Sequence, residues 1–145
     1  MAGFLGRFLH TLDPKGRISL PAQFRRGRES DPFVLIQTQP EALTLYPDDA
    51  WGSVQEDLLE YMKRQPEHRH KVLRITADAV EVVPDKQGRI LIPERMRQAA
   101  GLTTEAWVVG AINKIQIWDP ARFEAATTDE TDDDAFDQHM KSVLV

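Results

Sequence analysis

Two stretches of this chain, 72 residues apart, follow a single pattern. The first reads Asp13-Pro14-Lys15-Gly16-Arg17-Ile18-Ser19-Leu20-Pro21-Ala22-Gln23-Phe24-Arg25, and the second reads Asp85-Lys86-Gln87-Gly88-Arg89-Ile90-Leu91-Ile92-Pro93-Glu94-Arg95-Met96-Arg97. Both satisfy D-x-x-G-R-I-x-[L/I]-P-x-x-[F/M]-R. The correspondence continues at the same offset, with Leu43, Leu45, Tyr46 and Trp51 answering to Ile115, Ile117, Trp118 and Phe123. A repeat this long is one folding unit used twice, so the fold must accommodate two equivalent halves.

Each part of the pattern has a physical job. Asp13 and Asp85, each followed by Gly16 or Gly88, mark turns: Asp bonds to nearby backbone, and Gly takes positive φ without steric cost. Ile18–Leu20 and Ile90–Ile92 are short, apolar and partly β-branched, which predicts strands. Pro21 and Pro93 stand where a helix can begin, since the first helical position needs no N–H. Phe24 and Met96 are the predicted buried face of that short helix. Lys15 and Arg17 are then held at one loop, and Lys86 and Arg89 at the other.

The chain has 145 residues, so each half is small. A unit of about 60 residues is marginal alone, which predicts a core shared between the halves. There is no cysteine, which excludes disulfides and thiolate metal sites. Neither a signal sequence nor a run of 18 apolar residues is present, and the expected location is the cytoplasm. The net charge of −5 argues against a uniformly basic surface, but the charge is unevenly spread. Residues 1–28 carry six bases and one acid, whereas residues 119–145 carry eight acids and two bases. This predicts a basic working face and an acidic, partly disordered tail.

Between these ends the pattern alternates strands and helices. Strands are predicted at Phe4–Leu12, Phe33–Ile36, Leu43–Tyr46, Val80–Val83, Trp107–Val109 and Ile115–Trp118, besides the two within the motif. Pro47-Asp48-Asp49 opens a helix that Asp48 can cap. Trp51, Val54, Leu58 and Tyr61 recur at helical spacing along it. Pro66 breaks it, and a second helix follows over about Glu67–Thr76. Pro93–Ala100 is a helix closed by Gly101, and Asp119-Pro120 opens a last one to about Ala126. Thr127–Asp134 is acidic and Thr-rich, with no predicted structure.

The two motifs, their separation and the Ile-x-Ile-Trp near the end resemble MraZ proteins over nearly the whole chain. The wider group is the AbrB-like superfamily. The resemblance implies an α+β, mostly β, architecture: a tandem, pseudo-symmetric swapped-hairpin β-barrel with a helical pair between the repeats and a C-terminal helix. The implied division is residues 7–54 and 79–126 for the repeats, 55–78 for the helical connection and 127–145 for the acidic tail. It further implies a transcriptional regulator of the division and cell-wall gene cluster. Such a regulator is nucleoid-associated, needs no cofactor and acts as a ring-shaped homo-oligomer on repeated sites in double-stranded promoter DNA. The implied contact residues are Lys15, Arg17, Lys86 and Arg89, on loops shaped by Asp13, Gly16, Asp85 and Gly88. Gln87 precedes Gly88 where Lys15 precedes Gly16, so the two loops differ.

Two roles suit Arg17 and Arg89. Each can pair with the Asp of its own loop, or contact phosphate or the O6 and N7 of guanine. The two roles can coexist, and the resemblance selects DNA contact. Arg25, Arg26 and Arg28 read as solvated charges. Trp51, Tyr61, Trp107 and Trp118 read as core or subunit interface. His68 and His70, two apart on a helix, face different ways and suit no metal, and Asp132-Asp133-Asp134 lacks the glycine and glutamate of a calcium loop. No nucleophile–base set or phosphate-binding glycine loop is visible, so no enzyme is expected. The rival reading is an antitoxin-like interaction module whose acidic tail fills a basic groove.

Overall fold

The computed structural model describes residues 3–128 and 133–144. The first half contains β1 (Arg7–Thr11), β2 (Arg17–Ser19), α1 (Ala22–Arg25), β3 (Phe33–Gln39), β4 (Ala42–Pro47), α2 (Asp48–Arg64) and, after a 3₁₀ turn at Pro66–His68, α3 (Arg69–Ala77). The second half contains β5 (Val80–Val82), β6 (Arg89–Leu91), α4 (Glu94–Ala99), β7 (Glu105–Gly110), β8 (Ile115–Trp118), α5 (Pro120–Thr127) and α6 (Asp134–Leu144). Among the described residues no helix is long and apolar enough to cross a membrane.

Six strands form one antiparallel sheet in the order β1-β7-β8-β4-β3-β5, and β2 pairs with β6 in a separate ribbon. Exchanging β1–β4 for β5–β8 reverses this order and leaves it unchanged, so the halves are related by a pseudo-twofold. The exchange is built into the pairing: β1 of the first half lies on β7 of the second, and β5 of the second lies on β3 of the first. The axis passes between Ile18 and Ile90 in the ribbon and between Thr44 and Gln116 in the sheet, each paired directly across. The β3–β4 register shifts between Ile36 and Gln39, and this bulge absorbs a one-residue difference between the halves.

The hairpins are swapped as expected, but the sheet does not close into a barrel. Its edges are β1 and β5. The chain leaves the sheet at Asp13 and Asp85, and each return strand finds its partner in the other motif. The ribbon is therefore hydrogen-bonded to itself, and no ladder completes the circle.

Inward residues of the ribbon and sheet make one core. It contains Ile18, Leu20 and Phe24 with their counterparts Ile90, Ile92 and Met96, and Leu43 and Leu45 with Ile115 and Ile117. Each fully buried aliphatic or aromatic side chain contributes roughly 1.5–3 kcal/mol. Phe24 is held edge-on by Phe4 and Phe8, with ring centroids 5.4 and 5.5 Å away. The predicted downstream correspondence appears as two aromatic pairs, Tyr46–Trp51 and Trp118–Phe123, each with centroids 5.7 Å apart.

Several local expectations change. Pro47, not Asp48, occupies the cap of α2 and makes no side-chain cap bond. Asp48 and Asp49 lie in the first turn, where their charge suits the helix dipole. At the β7–β8 turn Ile112 takes positive φ, +72°. Two backbone hydrogen bonds with Phe4 hold it there. Of the acidic stretch left without structure, residues 129–132 lie outside the described residues. Asp134 begins α6, and the Asp133 carboxylate accepts the Phe136 N–H at 3.0 Å as a cap.

Candidate nucleic-acid interface

The Asp of each motif organises its loop by the same set of bonds. Asp13 Oδ1 accepts the Lys15 and Arg17 backbone N–H groups, both at 2.9 Å, and its C=O accepts Gly16 N–H at 2.9 Å. Asp85 Oδ1 accepts from Gln87 and Arg89 N–H, both at 2.9 Å, and its C=O accepts from Gly88 N–H at 2.9 Å. The second carboxylate oxygen takes the arginine side chain: Arg17 Nε at 2.7 Å from Asp13, Arg89 Nε at 3.1 Å from Asp85. Gly16 and Gly88 sit at φ +90° and +79°, which the sharp reversal needs.

The loops lock onto each other. Leu20 N–H donates to Gly88 C=O at 2.9 Å, and Ile92 N–H donates to Gly16 C=O at 3.0 Å. Arg25 Nε donates to Leu20 C=O and Arg97 Nε to Ile92 C=O, at 3.1 and 3.0 Å. These bonds lay the Arg25 guanidinium over Gly88 and the Arg97 guanidinium over Gly16, each arginine crossing to the loop of the other repeat. Arg25 is therefore no solvated charge. The shared last position of the motif was the sequence signal for this clamp. Arg28 is also engaged, paired with Asp49 at 2.8 Å. Arg26 is exposed, as expected.

The charges form a row: Arg17 to Asp13 at 2.7 Å, Asp13 to Arg89 Nη1 at 3.9 Å, and Arg89 to Asp85 at 3.1 Å. Among the described residues no Arg17–Asp85 pair mirrors the Asp13–Arg89 pair, so the row breaks the pseudo-twofold. The Arg17 backbone N–H bonding to Asp13, helped by the Arg17 side chain and the Lys15 N–H and opposed by desolvation, lowers the Asp13 carboxyl from 3.8 to about 2. Asp85 is lowered for the corresponding reasons, led by the Arg89 N–H. A depressed folded-state pKa gives stability that is present above the unfolded value and lost as pH falls through the folded one. Asp13→Asn is therefore expected to be less stable than wild type at pH 7. In urea unfolding the gap should narrow as pH falls from 3.8 towards about 2. An unchanging gap would mean that the Asp13 charge does not shape the loop.

Because each arginine meets its own aspartate through Nε, the terminal nitrogens of Arg17 have no hydrogen-bond partner among the described residues. About a third of each arginine side chain is exposed, 34% for Arg17 and 30% for Arg89. Lys15 and Lys86 are exposed at the loop tips, and neither enters an ion pair among the described residues. Ile18 and Ile90 face the core, so Arg17, Ser19, Arg89 and Leu91 form the outer face of the ribbon. Among the described residues no group of three His, Asp or Glu could hold a metal. His68 instead meets the Tyr61 hydroxyl at 2.5 Å.

A duplicated motif, an exchanged strand pairing and two arginine loops side by side define a single-chain, tandem swapped-hairpin protein. The family described as "MraZ protein, putative antitoxin-like" matches residues 4–74 and again 75–144. The chain is 39% identical over 141 residues to the transcriptional regulator MraZ of Pediococcus pentosaceus, covering 97% of this chain and 96% of that one. It is 40% identical over 122 residues to the transcriptional regulator MraZ of Thermomicrobium roseum, covering 84% and 85%. It is 33% identical over 127 residues to that of Acetivibrio thermocellus, covering 88% of each. The chain belongs to the MraZ family. These relatives carry the name of regulators rather than of enzymes, in keeping with the expectation from sequence.

Proposed function

We propose that this protein is a sequence-specific DNA-binding transcriptional regulator that reads repeated promoter sites with the outer face of the β2–β6 ribbon. The observation that carries the reading is the pair of arginines whose aspartates fix them through Nε, leaving both terminal nitrogens of Arg17 and the Nη2 of Arg89 for an outside acceptor. A two-stranded ribbon fits the major groove of B-DNA, and arginine is suited to the two acceptors of guanine there. Arg17 and Arg89 act as readers, and Lys15 and Lys86 neutralise phosphates beside them. Asp13, Gly16, Asp85 and Gly88 hold the loops in shape. In this reading residues 7–54 and 79–126 are the two repeats, joined through 55–78 and followed by the tail from 127.

One loop gives roughly 1–3 kcal/mol of base discrimination, too little for a regulator by itself. A homo-oligomeric ring multiplies the loops and raises their effective concentration on spaced DNA repeats. In this reading those repeats lie upstream of the division and cell-wall gene cluster, and the protein works in the cytoplasm on the nucleoid; the likeness to regulators named MraZ supports it. Arg17→Ala is expected to weaken binding to the DNA upstream of the protein's own gene by about tenfold or more. The slope of log affinity against log salt should keep most of its value, since the lysine contacts remain. Footprinting and fluorescence anisotropy at matched salt would check both. Wild-type affinity in Arg17→Ala would remove the loop from the interface.

A further inference from the structure

The helical hairpin of α2 and α3 leaves an open groove of about 610 Å³ on the surface. Trp51, Leu58, Leu59, Met62, Val72 and Leu73 supply its apolar lining. Leu59 and Leu73 are 56% and 60% exposed, although a helix of this hydrophobic pattern ordinarily hides such residues. The same chain carries an apolar stripe that none of the described residues buries. In α6, Phe136, Met140 and Val143 recur at i, i+4 and i+7, and no residue of the helix is buried. Phe136 and Val143 are 57% and 60% exposed. A helix of 11 residues is marginal in water by itself and needs a surface to lie on.

Groove and helix match in length and in charge. The lining on α2 runs from Trp51 to Met62 and α6 from Asp134 to Leu144, each about 16 Å at 1.5 Å per residue. The hairpin end of the groove is basic, with Lys63 and Arg64 ending α2 and Arg69 beginning α3 on the lining itself. Glu56 lines the groove seven residues before Lys63. In α6 the acids Asp134 and Asp137 lead, and Lys141 follows seven residues after Asp134. Laid antiparallel to α2, α6 sets its acids beside Lys63, Arg64 and Arg69, and Lys141 beside Glu56.

We propose that α6 of one copy lies in the α2–α3 groove of the next copy, antiparallel to α2. The groove stands open in the single chain although that chain carries α6 itself, which points to a second copy as the occupant. The two surfaces differ, so the contact is heterologous, and its repetition closes into a ring if the rotation between copies permits. The inference rests on the reading of the protein as a multimeric DNA binder, and supplies the joint that reading lacks.

The absence of cysteine gives a direct test. Leu73→Cys and Met140→Cys are introduced together into the full chain, and the protein is oxidised and run under denaturing conditions. A ladder of covalent multimers is the expected result. A single faster-migrating monomer would show α6 in its own groove and overturn the proposal, as would the absence of any cross-link. Phe136→Asp, a change at an exposed position, keeps the question open to measurement if the double variant folds poorly. It should leave the thermal transition in place, reduce the native mass to that of one chain and weaken binding to multi-repeat DNA on the order of 100-fold. Its affinity for a single repeat should not change. A native mass still multimeric in Phe136→Asp would overturn the interface. Loss of single-repeat binding in Arg17→Ala, with the ladder intact, concerns the loops alone.

Discussion

Expressed by itself, residues 1–78 will not give a folded monomer. Four of the six strand pairings cross such a cut: β1 with β7, β2 with β6, β3 with β5 and β4 with β8. Only the β3–β4 and β7–β8 hairpins stay within a half. Ile18 would lose Ile90 from its side, and the apolar faces of both hairpins would open to water. The loss removes essentially the whole margin of a small protein, about 5–15 kcal/mol. The pseudo-twofold offers one escape, because the first half can pair with a second copy of itself in place of the missing half. Light scattering with melting curves at several concentrations separates the outcomes. The expectation is an unfolded chain, or a dimer whose midpoint rises with concentration, with recovery when residues 79–145 are supplied. A cooperative monomer melting near the intact chain would refute the exchanged pairing.

The second large effect belongs to Gly16→Ala. Gly16 sits at φ +90°, and a Cβ there would lie 2.5 Å from Arg97 Nε. Holding an L-residue in the left-handed region costs about 1–2 kcal/mol. Pushing Arg97 off the Ile92 carbonyl forfeits a hydrogen bond to a charged donor, a further loss of about 1.5–3 kcal/mol. A total of about 2.5–5 kcal/mol is expected in denaturant titration, with weaker DNA binding because Lys15 and Arg17 flank the site. The Arg97→Ala background separates the parts. There the Gly16→Ala cost should fall to the backbone share, since nothing remains to displace. Equal costs in both backgrounds would mean that Arg97 does not brace this loop.

Much of this was legible in the residues. The duplicated motif predicted two turns, two short strands and two short helices, and Ile115–Trp118 and the start of α5 at Asp119-Pro120 fall where the pattern put them. The strand at Phe4–Leu12 shrank to Arg7–Thr11, with Phe4 left in an isolated bridge to Ile112. Its sequence mixes Arg7 and His10 among apolar residues because β1 is an edge strand. The open sheet was not legible, since closure depends on where backbone groups find partners. The asymmetry of the arginine row was equally hidden. It arises when two loops that look alike are set side by side, and Asp13 then meets both arginines. Arg25 was misjudged because a charge at a helix end ordinarily faces water. Only the swap brings a bare glycine from the other half beneath it. The α6 stripe was masked by the acids around it, although Asp133 was a visible cap.

Covalent joining of the two halves has a consequence for how DNA is addressed. Two identical chains meeting about a true dyad can only present matching tips, and so favour an inverted repeat. Here one tip carries Lys15 before its glycine and the other carries Gln87, and Asp13 is shared while Asp85 is not. A molecule built this way has a left and a right hand. If it binds DNA as proposed, it points along the duplex, and a tract of sites all written in the same direction is its expected partner.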